Sequence, residues 1–132
     1  MDVNSTTENF TRRALWAQID LDAAAHNMRI IRRHVGPDVR IAAVVKANAY
    51  GHGAVELART FAENGADCFA VSSLDEAVEL RRYAGITKNI FILGHTDGRR
   101  TEELLAYHIE PAVFNLKNAE YFSSEASRLG QT

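Results

Sequence analysis

The chain has 132 residues, enough for one modest domain, with 46% hydrophobic residues, 24% charged residues and a formal net charge of −2. That balance, with no basic run, excludes a surface built for nucleic acid, and no apolar stretch reaches the length of a membrane-spanning helix. A single cysteine, Cys68, excludes an internal disulfide and suits a reducing compartment, so a soluble cytoplasmic protein is the expectation.

Residues 1–13 have no hydrophobic core of the signal-peptide kind and read as a disordered lead-in, with one domain over 14–132. "ALWAQID" (14–20) reads as a short strand, with Trp16 expected to anchor packing. Asp20 is placed to cap the next helix, on which Leu21, Ala25, Met28, Ile31 and Val35 recur at helical spacing. Arg32, Arg33 and His34 suit that helix's C-terminal end, and Gly36-Pro37 stops it. "RIAAVV" (40–45) is a continuous apolar run of the kind found in strands buried on both faces. A helix is predicted over 54–64, with Val55, Leu57, Ala58, Phe61 and Ala62 facing inward and Gly65 as its stop.

The rhythm then repeats. "DCFAV" (67–71) is a predicted strand, with Cys68 a small core residue. Ser73 and Glu76 have capping-box spacing at the head of a helix ending at Gly85. "NIFIL" (89–93) is the next strand, and a helix around 100–107 follows a polar loop. "IEPAVF" (109–114) is a weaker strand with Pro111 at its start, because proline lacks a donor. Asn115 caps a last helix over 116–129, closed by Gly130. Arg81-Arg82 and Arg99-Arg100 read as solvated helix ends, and His95 with Asp97 as a solvated loop, since two ligands alone make no metal site. His52 reads as a turn residue.

Strands alternating with amphipathic helices imply right-handed βαβ units and a parallel sheet. Two α/β architectures fit: an open doubly wound sheet, or parallel (β/α) repeats forming the N-terminal half of a (β/α)8 TIM-type barrel, truncated after about four βα units. Both place ligands at the C-terminal ends of strands, which is where Lys46 sits. Lys88 and Lys117 flank a turn and a helix start, where solvated charge is ordinary. A lysine in an apolar pocket loses ammonium stability to desolvation, and its free amine can form an imine with an aldehyde such as pyridoxal phosphate. The bland alternative is a lysine that snorkels at the sheet edge. In "ANAYGHG" (47–53), small residues and two glycines permit a tight turn, Tyr50 can donate to a phosphate, and a helix N-terminus follows.

"AVVKANAYGHG" (43–53) resembles the cofactor-lysine motif of the alanine racemases, a pyridoxal-phosphate family with a (β/α)8 barrel followed by a β-rich domain. "WAQIDLDAAAHN", "GADCFAVSSLDEAVELR" and "IFILGHT" resemble further family segments, so the likeness runs over about 14–114. The resemblance implies interconversion of L- and D-alanine, with pyridoxal 5'-phosphate attached to Lys46, which also acts as the base on the D-alanine face. It implies that Tyr50 contacts the cofactor phosphate and that Val44 and Leu93 line the cofactor pocket. It further implies a homodimer for the full-length member, and a segment at 14–20 that pairs with the β domain.

Family members continue with further barrel units and the β domain. These carry the second base, the arginine facing the pyridine nitrogen and most of the phosphate cradle. No residue here matches those parts, so the chain is expected to be an N-terminal fragment, inactive by itself. The other readings are a serine racemase or same-fold decarboxylase, and a non-catalytic cofactor-binding half-barrel.

Overall fold

The computed structural model describes residues 15–131. The lead-in expected over 1–13, and the end positions 14 and 132 of the expected domain, lie outside the described residues. Helix α1 (Leu21–Val35) starts where Asp20 accepts from the Ala23 amide at 2.9 Å and stops at Gly36. It is followed by β1 (Ala42–Val44), α2 (Ala54–Asn64), β2 (Cys68–Val71) and α3 (Leu74–Glu79, running on as a π-helical turn over Leu80–Ala84). Then come β3 (Asn89–Ile92), α4 (Thr101–Ala106, entered through a 3-10 turn), β4 (Ile109–Glu110) and α5 (Leu116–Arg128).

The four strands are all parallel and stand in the order β1-β2-β3-β4. That order chooses between the two architectures. Right-handed crossovers between successive neighbours put every helix on the same face, whereas a doubly wound sheet must reverse its order to cover both. Accordingly α1 packs on α2, α2 on the π turn of α3, and α4 on α5. Strand side chains of one parity fill the core beneath them: Ala43, Val45, Phe69, Val71, Ile90, Ile92 and Ile109 are all buried. They meet Met28, Leu57, Ala58, Leu74, Leu80 and Leu104 from the helices. The opposite parity forms an open face, where the register aligns Val44 with Ala70 and Ala70 with Phe91. This is one side of a (β/α) barrel wall.

Several expectations need correction. Residues 15–20 form no strand; Leu15 and Trp16 are exposed, because nothing in the described residues offers them a ladder. Strand β1 is shorter than 40–45 and buried on one face only, leaving Val44 exposed. Strand β4 ends at Glu110, so Pro111 follows the strand instead of opening it; its missing N–H ends the pairing.

The larger correction concerns the cations at the N-terminal ends of the strands. Arg81 donates to the carbonyls of Ile86 (2.6 Å), Lys88 (2.7 Å), Tyr107 (2.9 Å) and His108 (2.8 Å), tying two loops to α3. Lys88 Nζ donates to the Ala62 carbonyl at 2.9 Å and also to that of Ala66. Arg32 reaches Gly65, Gly36 and Val39 carbonyls and pairs with Asp67, which in turn accepts from the Ile41 amide at 2.6 Å. That amide bond, then the Arg32 guanidinium, hold the Asp67 carboxyl below its usual range against some desolvation. Helix C-termini leave carbonyls without partners, and long cationic side chains satisfy them here. Truncating Arg81 to methionine removes four charge-assisted bonds, three of them part-buried. The expected cost is on the order of 2 kcal/mol, read as a shift in denaturation midpoint.

Candidate active site

At the other end of the sheet, the chain leaves β1 through a turn of unusual hand. The Val45 amide still pairs with the Ala70 carbonyl at 3.0 Å, carrying the pairing one residue past the strand. Then Ala47, Asn48, Ala49 and Tyr50 take φ values of 50°, 53°, 52° and 55°, a full left-handed turn built from non-glycine residues. Such a conformation costs roughly 1–2 kcal/mol per residue for L-amino acids. It is held by bonds from Ala49 N–H to the Val45 carbonyl (2.9 Å) and from Gly51 N–H to the Ala47 carbonyl (3.2 Å). Asn48 locks it further, since its side-chain oxygen accepts from the Ala54 amide at 2.8 Å and so caps α2. Gly51, at φ 88°, carries the chain out of the turn in a backbone region that suits glycine.

Lys46 opens this turn, at the C-terminal end of β1. It is half-buried, and among the described residues its ammonium has no hydrogen-bond or ion-pair partner. The nearby acid, Glu76, is occupied elsewhere. Its Oε1 accepts from Ala47 N–H at 2.8 Å, and its Oε2 accepts from Ser72 N–H at 2.7 Å and Ser72 Oγ at 2.8 Å. Burial acts to raise the Glu76 pKa, but the bonds from Ser72, Ala47 and Ser73 outweigh it and hold the carboxyl below its ordinary value. The capping-box reading is therefore half right. Ser73 does accept from the Glu76 amide (3.3 Å), yet the glutamate side chain bonds chiefly to Ser72 and Ala47, and its interaction with the Ser73 amide is the weakest of the set.

Leu93 extends the open-face row of β3. Its amide pairs with the Val71 carbonyl at 2.8 Å and its side chain is exposed. The close approach of β3 to β2 here depends on Gly94, where a Cβ would lie 2.4 Å from the Ser72 carbonyl oxygen. Val44 and Tyr50 line a cleft of about 540 Å³ with Asn27 and Met28 of α1. The structure thus brings Val44 and Tyr50 into one cleft, and sets Lys46 and Leu93 at the C-terminal ends of their strands on the open side. A larger depression of about 820 Å³ lies at the opposite end, around Arg81, Tyr107 and His108. Among its polar groups are the loop carbonyls that Arg81 already satisfies and the side chains of Asn89 and Glu110, which bond to each other at 2.6 Å, and the stabilising face of a barrel lies at that end.

His52 is a turn residue, its Nδ1 lying 2.9 Å from the Ala49 carbonyl. Cys68 is buried and free, and among the described residues no cluster of His, Cys, Asp or Glu could hold a metal. An aldehyde-bearing, phosphorylated cofactor fits what is present: an amine with no partner among the described residues, the exposed apolar side chains of Val44 and Leu93, and an exposed phenol in the cleft beside Val44. Sequence reasoning missed two features. The glycines signal a turn, but its left-handed run of non-glycine residues has no signal beyond one asparagine, and the role of Glu76 was hidden behind a spacing that also means a helix cap.

Residues 19–132 match the family model described as "Alanine racemase, N-terminal domain". Over 119 residues the chain is 50% identical to the alanine racemase of Clostridium perfringens, covering 90% of this chain and 30% of that protein. Among solved structures, alanine racemase from Clostridium difficile 630 superposes with a TM-score of 0.82 at 37% identity, over 87% of this chain and 30% of that one. Alanine racemase from Bartonella henselae with covalently bound pyridoxal phosphate superposes at 0.77 and 28% identity, over 86% of this chain and 33% of that one. The chain spans about 30% of the length of the curated relatives it matches.

Proposed function

The chain belongs to the alanine racemase family, matching its N-terminal domain, and from that premise we propose that it supplies the lysine-bearing part of a pyridoxal-phosphate-dependent isomerase interconverting L- and D-alanine. The observation that carries the reading is Lys46, an amine with no partner among the described residues at the C-terminal end of a barrel strand, in a segment that resembles the family's cofactor-lysine motif. Bound pyridoxal phosphate supplies an electron sink that acidifies the substrate's Cα proton. Lys46 Nζ holds the cofactor covalently and moves that proton on the D-alanine face. The Tyr50 hydroxyl donates to the phosphate, while Val44 and Leu93 give apolar walls that keep water from the ring. The proposal extends to a cytoplasmic homodimer acting on free alanine, with no nucleic acid or membrane partner. Among the described residues no helix is long and apolar enough to cross a membrane.

Borohydride reduction of the full-length protein followed by peptide mapping tests the assignment. The label is expected on Lys46. Lys88 is a poor competitor because its amine is already bound to two carbonyls; a label there, or on Lys117, would defeat the reading. Tyr50→Phe is expected to weaken cofactor retention by about 1.5–3 kcal/mol, the worth of a hydrogen bond to a charged group. Equilibrium dialysis of the reconstituted variant measures it, and unchanged affinity would make Tyr50 a packing residue only.

A further inference from the structure

We propose that Glu76 is the positioning residue of the Lys46 turn: its carboxylate, set between the ends of β1 and β2, fixes the turn's first amide and with it the place of the lysine. The catalytic half of this rests on Lys46 being the cofactor lysine; the structural half does not.

The first amides of any helical turn lack partners inside it, whatever its hand. In the left-handed turn the earliest internal bond is made by Ala49, to the Val45 carbonyl, so the Ala47 N–H needs an acceptor from outside. Glu76 Oε1 supplies it at 2.8 Å. The second oxygen is fixed by the Ser72 amide and hydroxyl, one residue past the end of β2. One side chain thereby joins two adjacent strand ends at the level where Lys46 leaves the sheet. A carboxylate can do this because both of its oxygens only accept. The isosteric amide cannot, since glutamine must turn its NH₂ toward one of two N–H groups. The strain of four left-handed residues gives the bond something to hold, because a turn of this kind persists only where its surroundings over-determine it. Glu76 touches neither alanine nor cofactor in this scheme and acts through Lys46.

The test uses the full-length protein, first without cofactor. Amide hydrogen exchange is followed in peptides spanning 46–53 for wild type, Glu76→Gln and Glu76→Asp. Loss of a charge-assisted bond corresponds to about a 10- to 100-fold acceleration at Ala47. Glu76→Gln should show it, while peptides from α5 stay unchanged. Glu76→Asp keeps the charge near Ser72 but is one methylene too short to reach Ala47, and should accelerate the same peptide with the helix start intact. With cofactor restored, both variants should keep borohydride labelling on Lys46 while kcat falls at least about tenfold and KM for alanine moves little. Unchanged exchange over 46–53 in both variants overturns the proposal. Acceleration spread equally over α5 and β3 also overturns it, since Glu76 would then support the fold as a whole. A wild-type label on another lysine overturns the Lys46 reading and the catalytic half, while the cofactor-free exchange result still decides the structural half.

Discussion

Lys46→Arg in the full-length protein should abolish racemisation, with a loss of at least about 10²–10⁴-fold from the missing base alone. Arginine keeps the positive charge and most of the side-chain volume, so any effect of charge or bulk is preserved. What it loses is a free electron pair: the guanidinium stays protonated at any working pH and forms no comparable imine. The fold should not notice. Lys46 is half-buried and, among the described residues, its ammonium holds no partner whose loss would register in stability. The melting midpoint is therefore expected to stay within the small range of surface substitutions, about 0.5 kcal/mol either way. Turnover, borohydride labelling and melting are measured on the same preparation. Near-normal turnover, or cofactor still reducible onto the protein at another lysine, would remove Lys46 from the chemistry.

The largest stability effect is expected at Phe69. Its ring is fully buried on the helix-covered side of β2, where the register sets it between Ala43 and Ile90. Phe69→Ala should cost about 3–5 kcal/mol, because the transfer energy of the ring is lost and a rigid sheet cannot close over the cavity. Phe69→Leu refills most of that volume and should cost less than about 1.5 kcal/mol. Urea midpoints of the two variants separate the explanations. If alanine and leucine cost the same, ring volume is not what matters at this position. The site should suffer with the sheet, since the strands flanking β2 lead to Lys46 and Leu93.

Much of this architecture was legible in the residues. Helix α1 begins at Asp20 and ends at Gly36 because a side-chain acceptor and a glycine are local devices, complete within a few positions. The same holds for Asn115 at the start of α5, whose side chain accepts from Asn118 at 2.9 Å. Where the reading failed, the missing information was long-range. Arg81 and Lys88 look like ordinary surface charges until the loops they clip, some 20 or more positions away, are folded beside them. Residues 15–20 have strand composition, but a strand exists only with a ladder to join.

The sequence by itself determined the βα rhythm, the caps at Asp20 and Asn115 and the place of Lys46 at a strand end, because periodicity and capping act over one or two turns of chain. Only the tertiary structure decided that the helices share one face, since crossover order is a property of strands paired across 20 or more residues. It alone decided that Lys46 leaves the sheet in a left-handed turn. Local preference runs against that conformation, and the turn's own backbone bonds, joined by those of Asn48 within it and Glu76 from a neighbouring helix, help to hold it against the strain.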